Sequence, residues 1–392
     1  MQFAKRMDRF PDEVFASLNE KKIELEKQGR KVYNLSVGTP DFITPQHIRD
    51  ALVESAKDPA SWKYTLRDSD ELLDAVCSYY QRRYGVTLTR SQVTSCAGSQ
   101  EGMGHIGMVL ADEGDTVILP TPCYPAFITC ARFAGANVFY YPMSKENNFL
   151  PNVKDIPDEV ADKAKFMIVS LPSNPTGSVG NEKNYEEIVA FARKHDLLII
   201  HDNAYSDIIF DGVHGGSFLA VPGAMDIGVE FFSLSKSFDV TGARLSFLVG
   251  REDVVQMFHK FRSQIDFGMF LPLQKAAIAA LTGPTASVVE QCDKYEKRRD
   301  ALCSGFRSIG WNVPDSHGSM FVWAPIPSWY ESSQKFCMDL MEKSGVICTP
   351  GASFGPAGEG YVRFALVLPV EVIHEVIKAV DACGILKKPE NA

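Results

Sequence analysis

The sequence predicts an α/β protein of two units, the first built on a mostly parallel sheet with helices on both faces. From about residue 90 to 250, short runs rich in β-branched and aromatic residues alternate with helical patterns. Such alternation is typical of parallel strands joined by helices. Beyond 250 the pattern changes to long amphipathic helices and a few short strands, which indicates a second α/β unit. The helices are predicted at about 284–308, 332–344 and 369–386, and the strands near 318–324 and 361–367.

The predicted strands of the first unit are largely apolar, as expected for strands buried on both faces. They lie at residues 116–119, 137–141, 166–170, 197–201, 231–233 and 245–249. In open parallel sheets a ligand binds beyond the carboxyl ends of the strands. The residues that follow each run are therefore the first candidates for a functional site.

Composition favours work on small molecules. The chain of 392 residues is 45% hydrophobic and 23% charged. Its formal charge is −9 and it has no block rich in Lys and Arg, which argues against nucleic-acid and membrane partners.

The opening segment, residues 1–31, alternates charged with isolated apolar residues, so we expect no secretory signal and a cytoplasmic protein. Nine scattered cysteines without a Cys-x-x-Cys pair predict neither a disulfide framework nor a metal site.

Polar groups follow three of the predicted strands. Asn174 lies in the turn sequence after 166–170, Asp202 comes at the end of 197–201, and Lys236 follows 231–233. Each has an ordinary structural reading, as a turn residue, a helix cap or an exposed loop lysine. Taken together, they meet the needs of one cofactor.

A pyridine aldehyde that carries a phosphate needs four kinds of protein group. These are an amine for a Schiff base, a carboxylate for the ring nitrogen, donors to the ring hydroxyl, and a cationic, hydroxyl-rich phosphate site. The residues that supply them, in that order, are Lys236, Asp202, Asn174 with Tyr205, and Ser233 with Arg244. The spacings, three residues from Ser233 to Lys236 and eight from Lys236 to Arg244, make the prediction of pyridoxal 5'-phosphate specific.

Over nearly its whole length the chain resembles the pyridoxal-phosphate-dependent aminotransferases of classes I and II, the aspartate aminotransferase superfamily of fold type I. The motifs that carry the resemblance are VGTPD (37–41), SNPTG (173–177), HDNAY (201–205), SLSK (233–236) and YVR (361–363). AGSQEG (97–102) and VICTPGASFGPAGEG (346–360) resemble the branch that holds LL-diaminopimelate, alanine and aspartate aminotransferases.

The resemblance implies a domain organisation. A large domain with a mostly parallel seven-stranded sheet between helices would span residues 46–283 and bind the cofactor. A smaller α/β domain would comprise residues 284–392, and residues 1–45 would form an N-terminal arm and part of the small domain.

The resemblance also implies roles for the site residues. Lys236 would bind the cofactor covalently and carry a proton, with its pKa lowered by burial and a nearby cation. Asp202 would keep the ring nitrogen protonated, and Asn174 and Tyr205 would donate to the ring oxygen. The catalytic residues would thus be Lys236, Asp202 and Tyr205.

Further cofactor contacts follow from the same resemblance. Tyr124 would stack on the ring, and Gly98, Ser99 and Gln100 would place the phosphate at a helix N-terminus, where free N–H groups favour an anion. Tyr64 would reach the phosphate of a neighbouring subunit, which implies a homodimer with shared sites.

Substrate binding would depend on Arg363, whose planar guanidinium can hold an α-carboxylate at two points. Gly38 and Asn174 would lie beside the same carboxylate. Two positions depart from the family pattern. Ser69 stands where a glycine is usual, and Ala243 stands where a bulky aromatic residue is usual, which would widen the surroundings of the phosphate.

The expected activity is transfer of an amino group between an α-amino acid and a 2-oxo acid. The candidate amino acids are LL-diaminopimelate, aspartate and alanine, with glutamate and 2-oxoglutarate as the exchange pair. A C–S β-lyase of the same fold is the alternative, because it would use the same lysine, aspartate and arginine. A transcription regulator built on this fold would need a basic DNA-binding module, for which the chain has no room.

Overall fold

We describe the protein from a computed structural model. The structure describes residues 1–10, 16–213 and 215–388. The α-helices are α1 (Ala16–Lys27), α2 (Gln46–Lys57), α3 (Asp70–Tyr84), α4 (Ser99–Leu110), α5 (Pro125–Ala134), α6 (Asp158–Ala161), α7 (Glu182–Lys194), α8 (Leu234–Ser237), α9 (Glu252–Arg262), α10 (Leu271–Thr282), α11 (Ala286–Ser308), α12 (Ser333–Ser344) and α13 (Val370–Ala382).

The strands form three sheets. They are β1 (Tyr33–Asn34), β2 (Val93–Cys96), β3 (Thr116–Thr121), β4 (Asn137–Pro142), β5 (Ala164–Ser170), β6 (Leu198–Asn203), β7 (Gly228–Ser233), β8 (Ser246–Gly250), β9 (Phe321–Pro325), β10 (Val346–Ile347), β11 (Thr349–Pro350) and β12 (Tyr361–Ala365). None of the helices in the described part of the chain is both long and apolar enough to cross a membrane.

The large sheet has seven strands in the order β2-β8-β7-β6-β5-β3-β4. Strands β4, β3, β5, β6 and β7 pair in parallel, whereas β8 runs antiparallel to both β7 and β2. This confirms the mostly parallel α/β sheet that the sequence predicts.

Both faces of the large sheet are buried. Along β6, Ile199 belongs to the core on one face, while Leu198 and Ile200 belong to the core on the other. Because side chains alternate across a strand, a run that is apolar at every position needs a helical layer on each side. This double burial explains why the strands appear in the sequence as continuous apolar runs.

The C-terminal part of the chain has its own core. Antiparallel strands β11, β12 and β9 form a three-stranded sheet, which packs with α11, α12 and α13. β1 pairs in parallel with β10, so the segment before α2 joins this second unit. The domain boundaries at residues 45 and 283 remain a prediction.

The predicted strands and C-terminal helices all correspond to observed elements, but β2 and the two-residue strands β1, β10 and β11 escaped prediction. β2 consists of Val-Thr-Ser-Cys, in which Thr94 and Ser95 break the apolar pattern. All four residues are nevertheless buried, and Asp68 accepts hydrogen bonds from the Ser95 N–H at 2.8 Å and from its hydroxyl at 2.6 Å. Because residues distant in sequence satisfy the polar groups of β2, the strand can be buried without an apolar pattern in its own sequence.

Two glycines allow a close backbone approach in the second unit. A Cβ on Gly351 would overlap the carbonyl oxygen of Gly358, and a Cβ on Gly358 would overlap that of Gly351. The same segment places Phe354, which is 2% exposed, in contact with the site described below.

Gly358→Ala is expected to lower the free energy of unfolding by about 1–3 kcal/mol, because the backbone of the facing segment has to move. Gly216→Ala is the matched control, since a Cβ there meets no atom within 4 Å. Chemical denaturation of the two variants provides the measurement. Equal stability of Gly358→Ala and the wild type would contradict the packing argument.

Candidate active site

A cavity of about 460 Å³ lies at the carboxyl ends of β5, β6 and β7. Because these strands are parallel neighbours, the residues that follow them meet at one edge of the sheet. The sequence-predicted residues that line the cavity are Gly38, Ser99, Gln100, Tyr124, Asn174, Asp202, Tyr205, Ser233, Lys236, Arg244 and Arg363.

Lys236 lies in the one-turn helix α8, immediately after β7. Its Nζ donates a hydrogen bond to the carbonyl oxygen of Gly38 at 2.7 Å. Burial, together with the positive charges of Arg244 and Arg363, lowers the pKa of Lys236 from 10.5 to about 8. At pH 7 roughly a tenth of this amine is therefore neutral, against roughly one part in three thousand for an ordinary lysine.

Asp202 lies near the end of β6 and is buried. Its Oδ1 has no hydrogen-bond partner among the described residues. Burial, opposed by His201 and reinforced by the charge of Glu230, raises the pKa of Asp202 to about 6. A carboxylate in this condition is ready to accept a hydrogen bond from a cationic donor.

The amide of Asn174 is oriented by Arg363, whose Nη1 donates to Asn174 Oδ1 at 2.9 Å. With its oxygen engaged, the amide presents its NH₂ group as a donor to a ligand. Tyr205 is 6% exposed and packs edge-on against Phe321, with ring centroids 5.8 Å apart. Asn174 and Tyr205 thus line the cavity from β5 and β6 respectively.

The start of α4 and the loop after α8 form the cationic end of the cavity. Gly98, the N-cap of α4, has a φ of 87°, which favours glycine, and a Cβ there would overlap the Arg244 guanidinium. Ser233 caps α8 by accepting from Ser235 N–H at 3.2 Å, which leaves its hydroxyl proton free to donate. Helix N-terminal amides, hydroxyls and a guanidinium together suit a phosphate.

Arg363 projects from β12 into the cavity and is 6% exposed. Its guanidinium packs against two aromatic rings, with Cζ 4.1 Å from the centroid of Phe321 and 4.7 Å from that of Phe354. Its Nη2 donates to Ser36 O at 2.7 Å, and its Nε is buried without a partner among the described residues. Burial lowers the pKa of Arg363 to about 10, so the group stays charged at neutral pH.

Tyr124 closes another wall of the cavity. It precedes α5, and its hydroxyl donates to Gln100 Oε1 at 2.8 Å, which links β3 to the start of α4. Burial raises the pKa of Tyr124, so the hydroxyl remains protonated at neutral pH.

Tyr64 is not part of this cavity. It is 90% exposed and lies on a separate shallow pocket with Trp62 and Phe267.

The structure shows the surroundings of Ser69 and Ala243, the two residues that depart from the family pattern. Ser69 has a φ of −71°, which needs no glycine, and its hydroxyl caps α3 by accepting from Leu72 N–H at 3.3 Å. Ala243 packs against the core of the large sheet.

Sequence reasoning missed several residues of the site. Phe321 and Phe354 belong to apolar segments that look like core, and Val37, Ser235 and Thr241 lie beside predicted residues without having been selected. Val37, Ser235 and Thr241 could have been selected, because each lies next to or near a residue that the motifs identified. The signal for the two phenylalanines is their position relative to Arg363, which only the fold supplies.

The lining residues fit pyridoxal phosphate. Among the described residues, the charged side chains of the cavity are Asp202, Lys236, Arg244 and Arg363, three cations against one carboxylate. The excess of positive charge suits a phosphate and a substrate carboxylate. The unpartnered Asp202 Oδ1 suits the protonated ring nitrogen.

Comparisons with known proteins identify the family to which the chain belongs. The family model for aminotransferase class I and II matches residues 30–380. LL-diaminopimelate aminotransferase of Moorella thermoacetica is 41% identical over 382 residues, covering 96% of this chain and 97% of that protein. LL-diaminopimelate aminotransferase 2 of Trichormus variabilis is 38% identical, covering 98% and 99%. The apo structure of BacF from Bacillus subtilis superposes with a TM-score of 0.94 at 33% identity, covering 97% of this chain and 98% of that one.

The chain therefore belongs to the class I and II aminotransferase family. It is a pyridoxal-phosphate-dependent enzyme of fold type I that moves an amino group between an α-amino acid and a 2-oxo acid. The β-lyase reading is not favoured by these relatives.

Borohydride trapping should locate the covalent link on Lys236, with a pH dependence set by its lowered pKa. The apoprotein is mixed with pyridoxal phosphate over a pH series, reduced and mapped by peptide mass. The initial trapping rate should reach half its maximum near pH 8, because the neutral amine attacks.

Arg363→Gln should move this midpoint upward, because one of the cations that lower the pKa of Lys236 is removed. Arg307→Gln is the control, since Arg307 pairs with Asp315 at 3.0 Å away from the cavity. A reduced adduct on another lysine, or a midpoint near 10.5, would show that the assignment is wrong.

Proposed function

We propose that the enzyme uses LL-diaminopimelate as its amino-acid substrate, with glutamate and 2-oxoglutarate as the exchange pair. Relatives that are 38–41% identical over nearly the whole chain and are named LL-diaminopimelate aminotransferases support this choice. Aspartate and alanine are the other candidates. The observation that supports an α-amino acid as the substrate is that the guanidinium of Arg363 is buried and lacks a carboxylate partner among the described residues.

Arg363 is a buried cation without a carboxylate partner among the described residues. Burying a guanidinium is costly unless an anion is bound to it. Phe321 and Phe354 pack against the guanidinium, and its buried Nε has no partner among the described residues, so N–H groups along the guanidinium edge remain for a ligand. A carboxylate can accept two parallel hydrogen bonds there. The substrate is thus an α-amino acid and not a simple amine.

Pyridoxal phosphate, when bound, supplies the aldehyde carbon that takes up the amino group and a ring that accepts electrons from the substrate α-carbon. Gly98, Ser99, Ser233 and Arg244 would hold its phosphate, and Tyr124 would lie against the ring. Asn174 and Tyr205 would donate to the ring hydroxyl.

Lys236 is proposed to hold and move the proton. Its amine has a pKa of about 8, which allows both the neutral and the charged form near neutral pH. Nζ can therefore accept a proton from the substrate α-carbon and would deliver it to C4′, the carbon of the cofactor's aldehyde group. The Gly38 carbonyl, which accepts from Nζ at 2.7 Å, gives the free amine a defined position in the cavity.

Asp202 is proposed to remain ionised beside the protonated ring nitrogen. A pKa of about 6 leaves roughly nine tenths of the carboxyl ionised at pH 7, and a cationic partner lowers the pKa further. The apolar surroundings strengthen this pairing, because water does not screen it.

Few charged side chains of the cavity are left to bind the distal end of the substrate, which carries its second amino group and second carboxylate. Each charged side chain that lines the cavity among the described residues already has a role in binding the cofactor or the α-carboxylate. A second amino group and a second carboxylate would therefore be recognised by neutral groups at the cavity mouth or by another copy of the chain.

Single-turnover measurements with a panel of amino donors test the substrate. LL-diaminopimelate and glutamate should each convert the cofactor to its amino form, seen as loss of the bound cofactor's absorbance. Arg363→Gln should weaken both by about 100-fold or more, since a desolvated carboxylate loses its charge partner. If no amino acid converts the cofactor and cysteine conjugates release ammonia and pyruvate, the enzyme is a β-lyase.

We further propose a homodimer in which Tyr64 serves the neighbouring site. The loop that carries Tyr64 is held firmly, because Thr65 Oγ1 donates to Met269 O at 2.7 Å and Gly268 N–H donates to Thr65 O at 2.8 Å. Exposed apolar side chains surround it, including Trp62 at 67% and Leu66 at 68%. A rigid loop that presents an apolar face outward is typical of an interface.

Mixing two inactive variants tests this arrangement. Lys236→Ala chains and Tyr64→Ser chains, allowed to exchange subunits, should regain activity, because one site of each hybrid then has an intact Lys236 and an intact Tyr64. Replacing the second variant by the double mutant Lys236→Ala, Tyr64→Ser is the control and should give none. No recovery with subunit exchange verified would contradict a shared site.

A further inference from the structure

A buried carboxylate on β7, Glu230, is unused by the proposed mechanism. It is 0% exposed and lies directly across from His201 in the β6–β7 pairing. Both of its carboxylate oxygens accept hydrogen bonds, from donors that lie on several elements. Oε1 accepts from Tyr80 OH at 2.8 Å and Asn203 Nδ2 at 3.0 Å, and Oε2 accepts from His201 Nδ1 at 2.8 Å, Ser217 Oγ at 2.9 Å and Phe218 N–H at 3.0 Å.

Two of these donors are the chain neighbours of Asp202. His201 and Asn203 point to the face of the sheet opposite Asp202, since side chains alternate along β6. Glu230 therefore holds the backbone on both sides of Asp202. The Asp202 carboxylate itself has an oxygen without a partner among the described residues, so its direction depends on this backbone.

His201 extends the contact to β5. Its Nε2 lies 3.1 Å from the carbonyl oxygen of Leu171, which begins the loop that carries Asn174. His201 thus contacts Glu230 through one ring nitrogen and the Leu171 carbonyl through the other, and the Tyr185 hydroxyl lies 3.3 Å from that second nitrogen.

We propose that Glu230 is a positioning residue for the cofactor: by accepting hydrogen bonds from both chain neighbours of Asp202, it fixes the direction in which Asp202 faces the ring nitrogen. Glu230 does not touch the cofactor and acts through β6. This inference rests on the role proposed above for Asp202.

The charge state of Glu230 agrees with this role. Burial acts to raise its pKa, but the hydrogen bonds from His201, Asn203 and Tyr80 outweigh burial and lower it. The other titratable groups near it are Tyr84 on α3, Tyr185 on α7 and, on the opposite face of the sheet, Asp202 on β6. Burial raises the pKa of both tyrosines, so neither carries a charge beside Glu230 at neutral pH.

A matched pair of variants separates positioning from stability. Asn203→Ala and Tyr80→Phe each remove one donor to the same oxygen of Glu230, but only Asn203 adjoins Asp202. The dissociation constant for pyridoxal phosphate is measured by titrating each apoprotein and following tryptophan fluorescence, alongside the melting temperature. Asn203→Ala should weaken binding by about tenfold, the scale seen when outer partners of a ligand-binding group are removed. Tyr80→Phe should stay within about twofold of the wild type.

A spectroscopic signature adds a second measurement. With cofactor labelled at the ring nitrogen, its NMR signal should show deprotonation at a lower pH in Asn203→Ala than in the wild type, because a misdirected Asp202 stabilises the cationic ring less. Glu230→Gln should shift the signal in the same direction, and it provides the measurement should Asn203→Ala fail to fold. Equal effects of Asn203→Ala and Tyr80→Phe, or a wild-type signal in Glu230→Gln, would overturn the proposal.

Asp202→Asn distinguishes failure of this inference from failure of the role on which it rests. If Asp202→Asn binds the cofactor like the wild type with the ring nitrogen still protonated, the role of Asp202 is wrong. If Asp202→Asn loses affinity while Asn203→Ala and Tyr80→Phe behave alike, Asp202 keeps its role and only the positioning by Glu230 is wrong.

Discussion

The parallel pairing of β5, β6 and β7 is the constraint on which the site depends. Ser170 pairs with Asp202, and Asp202 pairs with Phe231, so the loops that carry Asn174 and Lys236 start from the same sheet edge as Asp202. A slip of one residue would turn Asp202 to the opposite face. Apolar cores on both faces and the hydrogen bonds of Glu230 oppose such a slip. The register of three strands thus determines the chemistry at their ends.

The same arrangement gives two titratable groups of the site pKa values that cost folding stability at neutral pH. Asp202 binds its proton more tightly folded than unfolded, so raising the pH from 3.8 through about 6 removes stability. Lys236 binds its proton less tightly when folded, so lowering the pH from 10.5 through about 8 also removes stability. Both penalties are present at pH 7. A ligand that supplies an anion to the cations and a cation to Asp202 relieves them, which couples cofactor binding to folding.

Residues that follow apolar strands could be predicted from the sequence, because strand, turn and polar residue are all local signals. Asn174, Asp202 and Lys236 are of this kind, and Arg363 stood out as a charge inside a strand. Phe321 and Phe354 could not be recognised, since an apolar residue has the same appearance in a core and beside a guanidinium. Glu230 and His201 depend on the register between strands that are distant in sequence. The family motifs predicted a role for Tyr64 but not its surroundings, since its proposed partner lies on another chain.

The two rings beside Arg363 have a practical consequence for handling the protein. They bury a guanidinium whose Nε has no partner among the described residues, so Arg363 can also bind small carboxylates other than the substrate. Acetate, citrate or formate in a purification buffer carries the same carboxylate group and would compete with the amino donor for Arg363. Kinetic constants measured in such buffers would describe a partly inhibited enzyme, whereas buffers with neither a carboxylate nor a primary amine leave Arg363 and the cofactor aldehyde free.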